Sequence, residues 1–292
     1  MIKIRTYIEL CKVTLSFFSA LSAATGFMLA GTRLTVDLAI TVAGVFLLAC
    51  GCCAFNQYQE RDTDALMERT KGRPLPGGRI LPFQAMFFSI VLITSGLLAL
   101  IFTESLSAFL LGCCAVILYN GVYTYLKRKT AFASVPCAII GALPPAIGWF
   151  AAGGMFPDRK ILAVCLLFYI WQITHFWLLF LSHGEDYEKA GFPSLTRVFK
   201  TKQLERIVFM WMTSTSVASM LALFYGLITS DTTSFLLIPI ALWLAIIGIQ
   251  LLKGHGKTVT YQSAFARMNI YILLVMLLLS VDRIKFFKAY FV

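Results

Sequence analysis

The chain has 292 residues, of which 59% are hydrophobic and 13% charged. A soluble domain carries about 25% charged residues, so this composition excludes an ordinary soluble protein and indicates one whose solvent is a lipid bilayer. The formal net charge of +11 does not indicate a nucleic-acid partner, because the basic residues are distributed between the loops as membrane topology predicts.

Nine apolar runs predict an all-α fold, a polytopic membrane bundle of about nine transmembrane helices. A spanning helix needs about 20 mostly apolar residues, and these runs lack the alternation of polar and apolar residues that barrel strands need. The last run is the weakest, because Arg267 stands near its start. No Gly/Ser-rich linker divides the chain, so we expect one domain over 1–292. The predicted spans are 13–31, 36–57, 83–103, 106–126, 131–152, 161–182, 207–229, 233–252 and 265–281.

The basic residues predict the orientation of these spans. With the N-terminus in the cytoplasm, 19 Lys and Arg residues lie on the cytoplasmic side and 6 on the other. This distribution follows the positive-inside rule and predicts a multi-pass protein of the cell inner (cytoplasmic) membrane. The two long polar segments, 58–82 and 183–206, then lie on the same face, after an amphipathic approach over 1–12. The six residues on the other side are Arg33, Arg159, Lys160, Arg283, Lys285 and Lys288.

The first long polar segment combines acidic and basic residues. Asn56, Glu60 and Asp64 are spaced four residues apart, which places them on one stripe of a helix. Oxygen donors on one stripe suit Mg²⁺, which prefers carboxylates, waters and substrate phosphates. The basic residues that follow suit a diphosphate, since Arg makes bidentate phosphate contacts; they are Arg69, Lys71 and Arg73. The alternative is a solvated helix end with local ion pairs, the role we expect for Asp62 and Glu68.

Two later patterns are less specific by themselves. Tyr123 and Lys127 share a helix face at the end of the fourth span, next to Arg128, but basic residues at such an end also serve only to anchor topology. Gln172 and His175 share a face of an apolar helix. They are either part of a site or a pair that is hydrogen-bonded within the bundle.

Two adjacent prolines, Pro144 and Pro145, lie in the fifth span. Each removes a backbone donor, so we expect the helix to break or kink there. Such a break is tolerated where the backbone faces protein or a cavity. A packing kink and a binding cavity therefore both remain open.

These segments together resemble one family. The segment 56–78 is similar to the first aspartate-rich motif of the UbiA-type intramembrane prenyltransferases, and its continuation to the haem O synthase branch. Further resemblance lies in 123–130, 141–149, 171–176 and 186–193. The chain departs from the family pattern at Glu60, where many members have Asp, at Thr174, where Pro is usual, and at Val13, which also replaces a Pro.

The resemblance implies transfer of a farnesyl group from farnesyl diphosphate to a vinyl group of haem b, with Mg²⁺ as cofactor. The implied Mg²⁺ ligands are Asn56, Glu60, Asp64 and Asp186, and catalytic roles fall to Asp64, Tyr123 and Lys127. The expected haem pocket lies near the prolines, flanked by Trp149, Trp171 and Phe176. The expected substrate-binding residues are Arg69, Lys71, Arg73, Arg128, Gln172, His175 and Tyr187.

Two other functions stay open. A UbiA-type prenyltransferase acting on a quinone or chlorin precursor would share the metal site and differ in the acceptor pocket. A transporter would account for a proline-broken helix. It would give no reason for an acidic stripe beside a basic loop on one face of the membrane.

Overall fold

The computed structural model describes residues 4–31, 35–254 and 260–284. Five basic residues that enter the charge distribution lie outside these ranges: Lys3, Arg33, Lys257, Lys285 and Lys288. The described helices are α1 (Ile4–Cys11), α2 (Val13–Ala30), α3 (Val36–Asp64), α4 (Pro82–Ile101), α5 (Leu106–Val116), a π-helical turn (Ile117–Tyr123), α6 (Thr124–Leu126), α7 (Ser134–Cys137), α8 (Ile139–Ala151), α9 (Arg159–Lys189), α10 (Leu195–Val198), α11 (Thr201–Phe224), α12 (Asp231–Gly254) and α13 (Tyr261–Arg283).

Nine of the described helical segments are long and apolar enough to cross a membrane. The stretch Leu106–Leu126 forms one of them from α5, the π-helical turn and α6, and Ser134–Ala151 forms another from α7 and α8. The weakest predicted run belongs to α13, a full span of 23 residues. The prediction of an all-α bundle of about nine transmembrane helices is confirmed.

The seventh span is displaced from its predicted position. The helix α11 covers Thr201–Phe224 rather than 207–229. Its start is capped by Gln203, whose side chain accepts from the Lys200 backbone N–H at 2.9 Å. Beyond its end, the Asp282 carboxylate accepts from the backbone N–H groups of Thr229 at 2.8 Å and Ser230 at 3.0 Å. These contacts to a distant helix hold 229–230 outside α11.

The sequence predicts a break or a kink in the fifth span at its two prolines, and the structure shows no break there. The helix α8 runs through Pro144 and Pro145 without interruption, and the span is divided instead at Ala138, between α7 and α8. The helix α8 packs in close contact with α2. A Cβ built on Gly26 would lie 1.9 Å from the Pro145 carbonyl oxygen, and one on Gly148 would lie 1.8 Å from the Ala23 carbonyl oxygen. The backbones touch through glycine, as at other membrane helix interfaces.

Two long helices extend past their apolar runs at the same end of the bundle. The helix α3 continues to Asp64, and α9 continues to Lys189 after a non-helical residue, His183. The predicted sixth span ends at 182, one residue before that kink. We call this end, with segments 65–81 and 190–200, the charged end. At the charged end, the polar residues that follow the apolar part of α3 face those that follow the apolar part of α9.

Candidate active site

The acidic stripe is a buried feature of α3 at the charged end. Asn56, Glu60 and Asp64 are 3%, 4% and 1% exposed. The Asp62 side chain, which lies off this stripe, is 84% exposed and pairs with Arg61 at 3.7 Å. Burying carboxylates is costly unless they are paired. The buried carboxylates of the stripe therefore need partners of opposite charge, whereas Asp62 belongs to a solvated helix end.

The two buried carboxylates are paired with cations from other parts of the chain. The Arg73 guanidinium contacts Asp64 Oδ2 at 2.7 Å, and the Lys127 ammonium contacts Glu60 Oε1 at 2.5 Å. Within the described ranges, no three His, Cys, Asp or Glu side chains converge as a ready-made metal site. The carboxylates turn to their basic partners instead. Both signs of charge needed by a metal–diphosphate complex are present, held together as ion pairs.

Asn56 also fits a metal ligand. Its amide nitrogen donates to Thr124 Oγ1 at 3.1 Å, which leaves its carbonyl oxygen available. An amide oxygen and two carboxylates along one stripe are a donor set that Mg²⁺ accepts.

The π-helical turn places Lys127 and Tyr123 against the stripe. Its Asn120 side chain donates to the Cys52 carbonyl at 3.0 Å and to Gln59 Oε1 at 3.2 Å. These bonds join the turn to α3. Such π-helical segments occur frequently at functional sites, and no residue pattern used for the sequence prediction would have located this one.

An aromatic pocket lies under the Lys127 ammonium. The nitrogen is 5.3 Å from the Tyr123 ring centre and 5.6 Å from that of Phe192. Tyr187 lines the same pocket, and the Tyr123 ring is 5.3 Å from that of Phe176. Aromatic faces stabilise a cation, and the apolar walls exclude water. The site therefore has a charged half on α3 and an aromatic half beside it.

The first polar segment folds across the end of α3. The Thr70 hydroxyl donates to the Asp64 carbonyl at 2.8 Å, and the Arg69 backbone N–H donates to Asp186 Oδ2 at 3.2 Å. The second contact joins the two long polar segments, so they lie at the same end of the bundle. It also places Asp186 beside the segment that carries Arg73.

The predicted phosphate-binding cations fall into two groups. Arg73 and Lys127 reach the buried carboxylates. The others lie at the surface: Arg69 is exposed, Lys71 pairs with Glu68 at 2.6 Å, and Arg128 donates to the Gln59 carbonyl at 3.0 Å.

Lys12 is a further cation that sequence reasoning treated only as a topology signal. It adopts a left-handed conformation, with φ of 44°, between α1 and α2. Gln57 of α3 fixes the end of α1 by donating to the Glu9 and Leu10 carbonyls at 3.1 and 3.0 Å. Burial, and then the nearby Arg73 charge, lower the pKa of the Lys12 ammonium, which also interacts with Glu60 and Lys127.

The described part of the chain provides no hydrogen bond or ion pair to the Lys12 ammonium. Its position after an amphipathic segment and directly before the first span was the signal available in the sequence.

The two polar residues of α9 contact different helices. A Cβ on Gly141 of α8 would lie 2.8 Å from Gln172 Oε1, so Gln172 packs against α8. His175 Nδ1 lies 3.0 Å from Asn269 Oδ1 of α13. The Trp171 ring is 5.2 Å from His175. Trp149, in contrast, donates to the Met155 carbonyl at 3.3 Å beyond the far end of α8, which removes it from the expected haem pocket.

Comparison with known proteins adds three findings. The model of the UbiA prenyltransferase family matches residues 18–279. The chain is 36% identical to the protoheme IX farnesyltransferase of Oleidesulfovibrio alaskensis over 91% of this chain and 92% of that protein. It is 41% identical to the protoheme IX farnesyltransferase of Geobacter sulfurreducens over 66% of this chain and 71% of that protein.

Solved structures share the fold at low sequence identity. A UbiA homologue from Archaeoglobus fulgidus, bound to DMAPP and Mg²⁺, superposes with a TM-score of 0.73 at 17% identity, covering 95% of this chain and 99% of that one. A structure described as digeranylgeranylglyceryl phosphate synthase gives a TM-score of 0.75 at 18% identity, covering 98% and 100%.

Proposed function

Because the chain belongs to the UbiA prenyltransferase family, we propose that it transfers a farnesyl group from farnesyl diphosphate to a vinyl group of haem b, making haem O. The relatives that match most of its length are protoheme IX farnesyltransferases. The observation that carries the proposal is the contact between the charged half and the aromatic half of the site. The Tyr123 ring contacts both the Lys127 ammonium and the Phe176 ring. We treat 1–292 as one intramembrane prenyltransferase domain.

The charged half of the site binds the diphosphate. Asn56, Glu60, Asp64 and Asp186 would hold Mg²⁺, which would neutralise part of the diphosphate charge. Arg73 and Lys127 would contact diphosphate oxygens in place of their carboxylate partners. Lys12, without a carboxylate of its own, adds a third cation. Arg69, Lys71 and Arg128 lie further out and attract the anion electrostatically.

Arg73 and Lys127 stabilise the negative charge that grows on the leaving diphosphate. As the C1–O bond of the farnesyl diphosphate breaks, its electron pair leaves with the diphosphate. The allylic cation forms against the Tyr123 and Phe176 rings, which stabilise it and exclude water. The π-electrons of the haem vinyl group attack C1 and form the new C–C bond. The resulting cation next to the porphyrin takes up water and loses a proton, which gives the hydroxyl group of haem O.

We place the protein in the inner membrane with its N-terminus in the cytoplasm. This orientation is supported by the division of 19 and 6 basic residues. The charged end then opens to the cytoplasm.

The test is a reaction in membranes given haem b, farnesyl diphosphate and Mg²⁺. Mass analysis of the extracted haems should show a product heavier by one farnesyl group plus one hydroxyl group. His175→Ala should lose this product and still bind diphosphate, because His175 lies in the aromatic half of the site. A protein that prenylates an aromatic quinone precursor and leaves haem b unchanged would require the acceptor to be reassigned.

A further inference from the structure

A histidine and an asparagine meet inside the bundle, far apart in the chain. His175 Nδ1 of α9 lies 3.0 Å from Asn269 Oδ1 of α13, and 94 residues separate the two. The amide oxygen only accepts hydrogen bonds, so Nδ1 carries the proton. In a neutral imidazole the other ring nitrogen, Nε2, then keeps its lone pair. The contact therefore sets both the tautomer and the direction of the ring.

The pair lies in apolar surroundings. His175 and Asn269 are each half-buried. Three aromatic rings stand around the imidazole, with centres 4.6 Å away for Phe265, 5.2 Å for Trp171 and 5.9 Å for Phe176. No hydrogen bond to Nε2 occurs among the residues that the structure describes. A neutral imidazole with a free lone pair, surrounded by flat apolar rings, suits an iron-containing planar molecule.

The depth of the His175–Asn269 pair in the bundle matches that expected of an acceptor site next to the diphosphate. Both residues lie eight positions from the charged end of their helix: His175 from the kink at His183, and Asn269 from Tyr261, the first residue of α13. At 1.5 Å per residue this is about 12 Å into the bundle. Phe176 contacts Tyr123 at 5.3 Å, and the Tyr123 ring centre is 5.3 Å from the Lys127 ammonium. A haem bound at His175 would thus lie across the aromatic pocket from the leaving diphosphate.

We propose that Asn269 is a positioning residue for the acceptor: it holds the Nδ1–H of His175 so that Nε2 ligates the iron of haem b. The inference rests on the proposed function, because haem b is there the substrate. Partners of this kind fix the ring and raise the basicity of the ligand. Their removal typically lowers metal affinity about 10–100-fold.

The experiment is a titration of the purified full chain with haem b in detergent. Absorption spectra give the affinity. Resonance Raman spectra of the ferrous complex give the iron–imidazole stretching frequency, which a merely structural role would not move. Asn269→Leu removes the hydrogen-bond acceptor of the His175 Nδ1–H and keeps a side chain of similar size. Asn269→Asp replaces the amide oxygen with a stronger hydrogen-bond acceptor. The matched control is Tyr271→Phe, which removes another buried hydrogen bond of α13, from Tyr271 to Ser219 Oγ at 2.7 Å.

We expect Asn269→Leu to bind haem b about 10–100-fold more weakly and to lower the stretching frequency. Asn269→Asp should restore the affinity and raise the frequency above that of the wild type. Tyr271→Phe should match the wild type. If Asn269→Leu fails to fold, the frequency shift of Asn269→Asp alone decides the question.

Three results would overturn the inference. One is an unchanged affinity and frequency in both Asn269 variants, and another is a His175→Ala protein that keeps the imidazole-ligated spectrum. In both cases the wild type still binds haem b, so the proposed function stands. The third is a wild type that binds no haem b, which removes the acceptor assignment together with the inference.

Discussion

At the scale of single residues, the charged half of the site contains two buried carboxylates that are ion-paired to cations. Asp64 and Glu60 are buried and each is held by one cation, Arg73 and Lys127 respectively. A buried carboxylate that loses its partner is strongly destabilised. In the proposed function, Mg²⁺ and diphosphate would bind together without that cost, because the carboxylates and the cations would each keep a partner of opposite charge. Either one alone leaves a buried charge uncompensated.

The first prediction concerns the metal ligands. Asp64→Ala should lower Mg²⁺-dependent turnover on the order of 10²–10³-fold, the cost of removing one group that stabilises transition-state charge. Asp62→Ala is the matched control. Its side chain is 84% exposed, and an exposed pair contributes only about 0–1 kcal/mol, so its turnover should change less than about fivefold. Equal turnover of Asp64→Ala and wild type at matched membrane levels would exclude Asp64 as a ligand.

The second prediction concerns Lys12. Its ammonium interacts electrostatically with Arg73, Lys127 and Glu60, but it makes no ion pair or hydrogen bond in the described part of the chain. Lys12→Ala should therefore raise the KM for farnesyl diphosphate about 10–100-fold, since a hydrogen bond to a charged group contributes about 1.5–3 kcal/mol. Lys12→Arg should keep most of the affinity.

Lys129→Ala is the control for Lys12, because Lys129 is an exposed cation near the same end of the bundle. Initial rates at varied farnesyl diphosphate concentration separate KM from kcat. A Lys12→Ala protein with the KM of the Lys129→Ala protein would show that Lys12 only anchors the first helix.

At the scale of helices, α8 is in close contact with α2 at its prolines and with α9, which carries part of the site. Gly26 and Gly148 admit the facing backbone of the other helix. The neighbouring contact of α8 with α9, at Gly141 and Gln172, joins this pair to the helix that carries His175. A change in the α2–α8 contact should therefore reach the aromatic half of the site through α8.

The third prediction tests this contact. In Gly26→Ala the new Cβ would meet the Pro145 carbonyl oxygen at 1.9 Å, and backbone cannot yield as a flexible side chain does. We expect a destabilisation of about 1–3 kcal/mol, as for other overpacked interiors. Thermal denaturation in detergent, followed by size-exclusion chromatography, measures it.

Gly31→Ala, at the residue directly after α2, is the control, because its Cβ would meet nothing nearer than 3.8 Å. It should denature within a few degrees of the wild type. Similar denaturation temperatures for Gly26→Ala and Gly31→Ala would mean that α2 and α8 are not held in backbone contact.

At the scale of the whole molecule, the two long polar segments have to lie on one side of the membrane. Arg69 and Asp186 are in direct contact, so a topology that separates their segments is not compatible with this fold. We expect that side to be the cytoplasmic one, because most basic residues flank it.

The fourth prediction is the topology. Reporter fusions after Gly78, Thr130 and Lys202 should report the cytoplasm, and a fusion after Pro157 should report the external side. Opposite results for Gly78 and Lys202 would contradict a site shared by the two segments. A uniform inversion of all four would keep the shared site and reverse the orientation.

The apolar runs alone predicted the bundle, because crossing a bilayer requires about 20 apolar residues and this requirement is local in the chain. The acidic stripe was predictable for the same reason, since residues four apart share a helix face. Where a helix ends was less predictable. The helix α11 ends just before Gly226, which has a φ of 65°. The residues beyond it are held by Asp282, more than 50 residues away, which accepts from Thr229 and Ser230.

The partners of the polar residues were decided only by tertiary structure. Nothing in the local pattern distinguishes Arg73, which reaches Asp64, from Lys71, which pairs with the exposed Glu68. The same holds for His175 and Asn269, which meet across two helices. A polar side chain inside an apolar bundle needs a partner, so the sequence determined that partners must exist. Which partner it finds depends on how distant helices are packed, and that packing is a property of the whole chain.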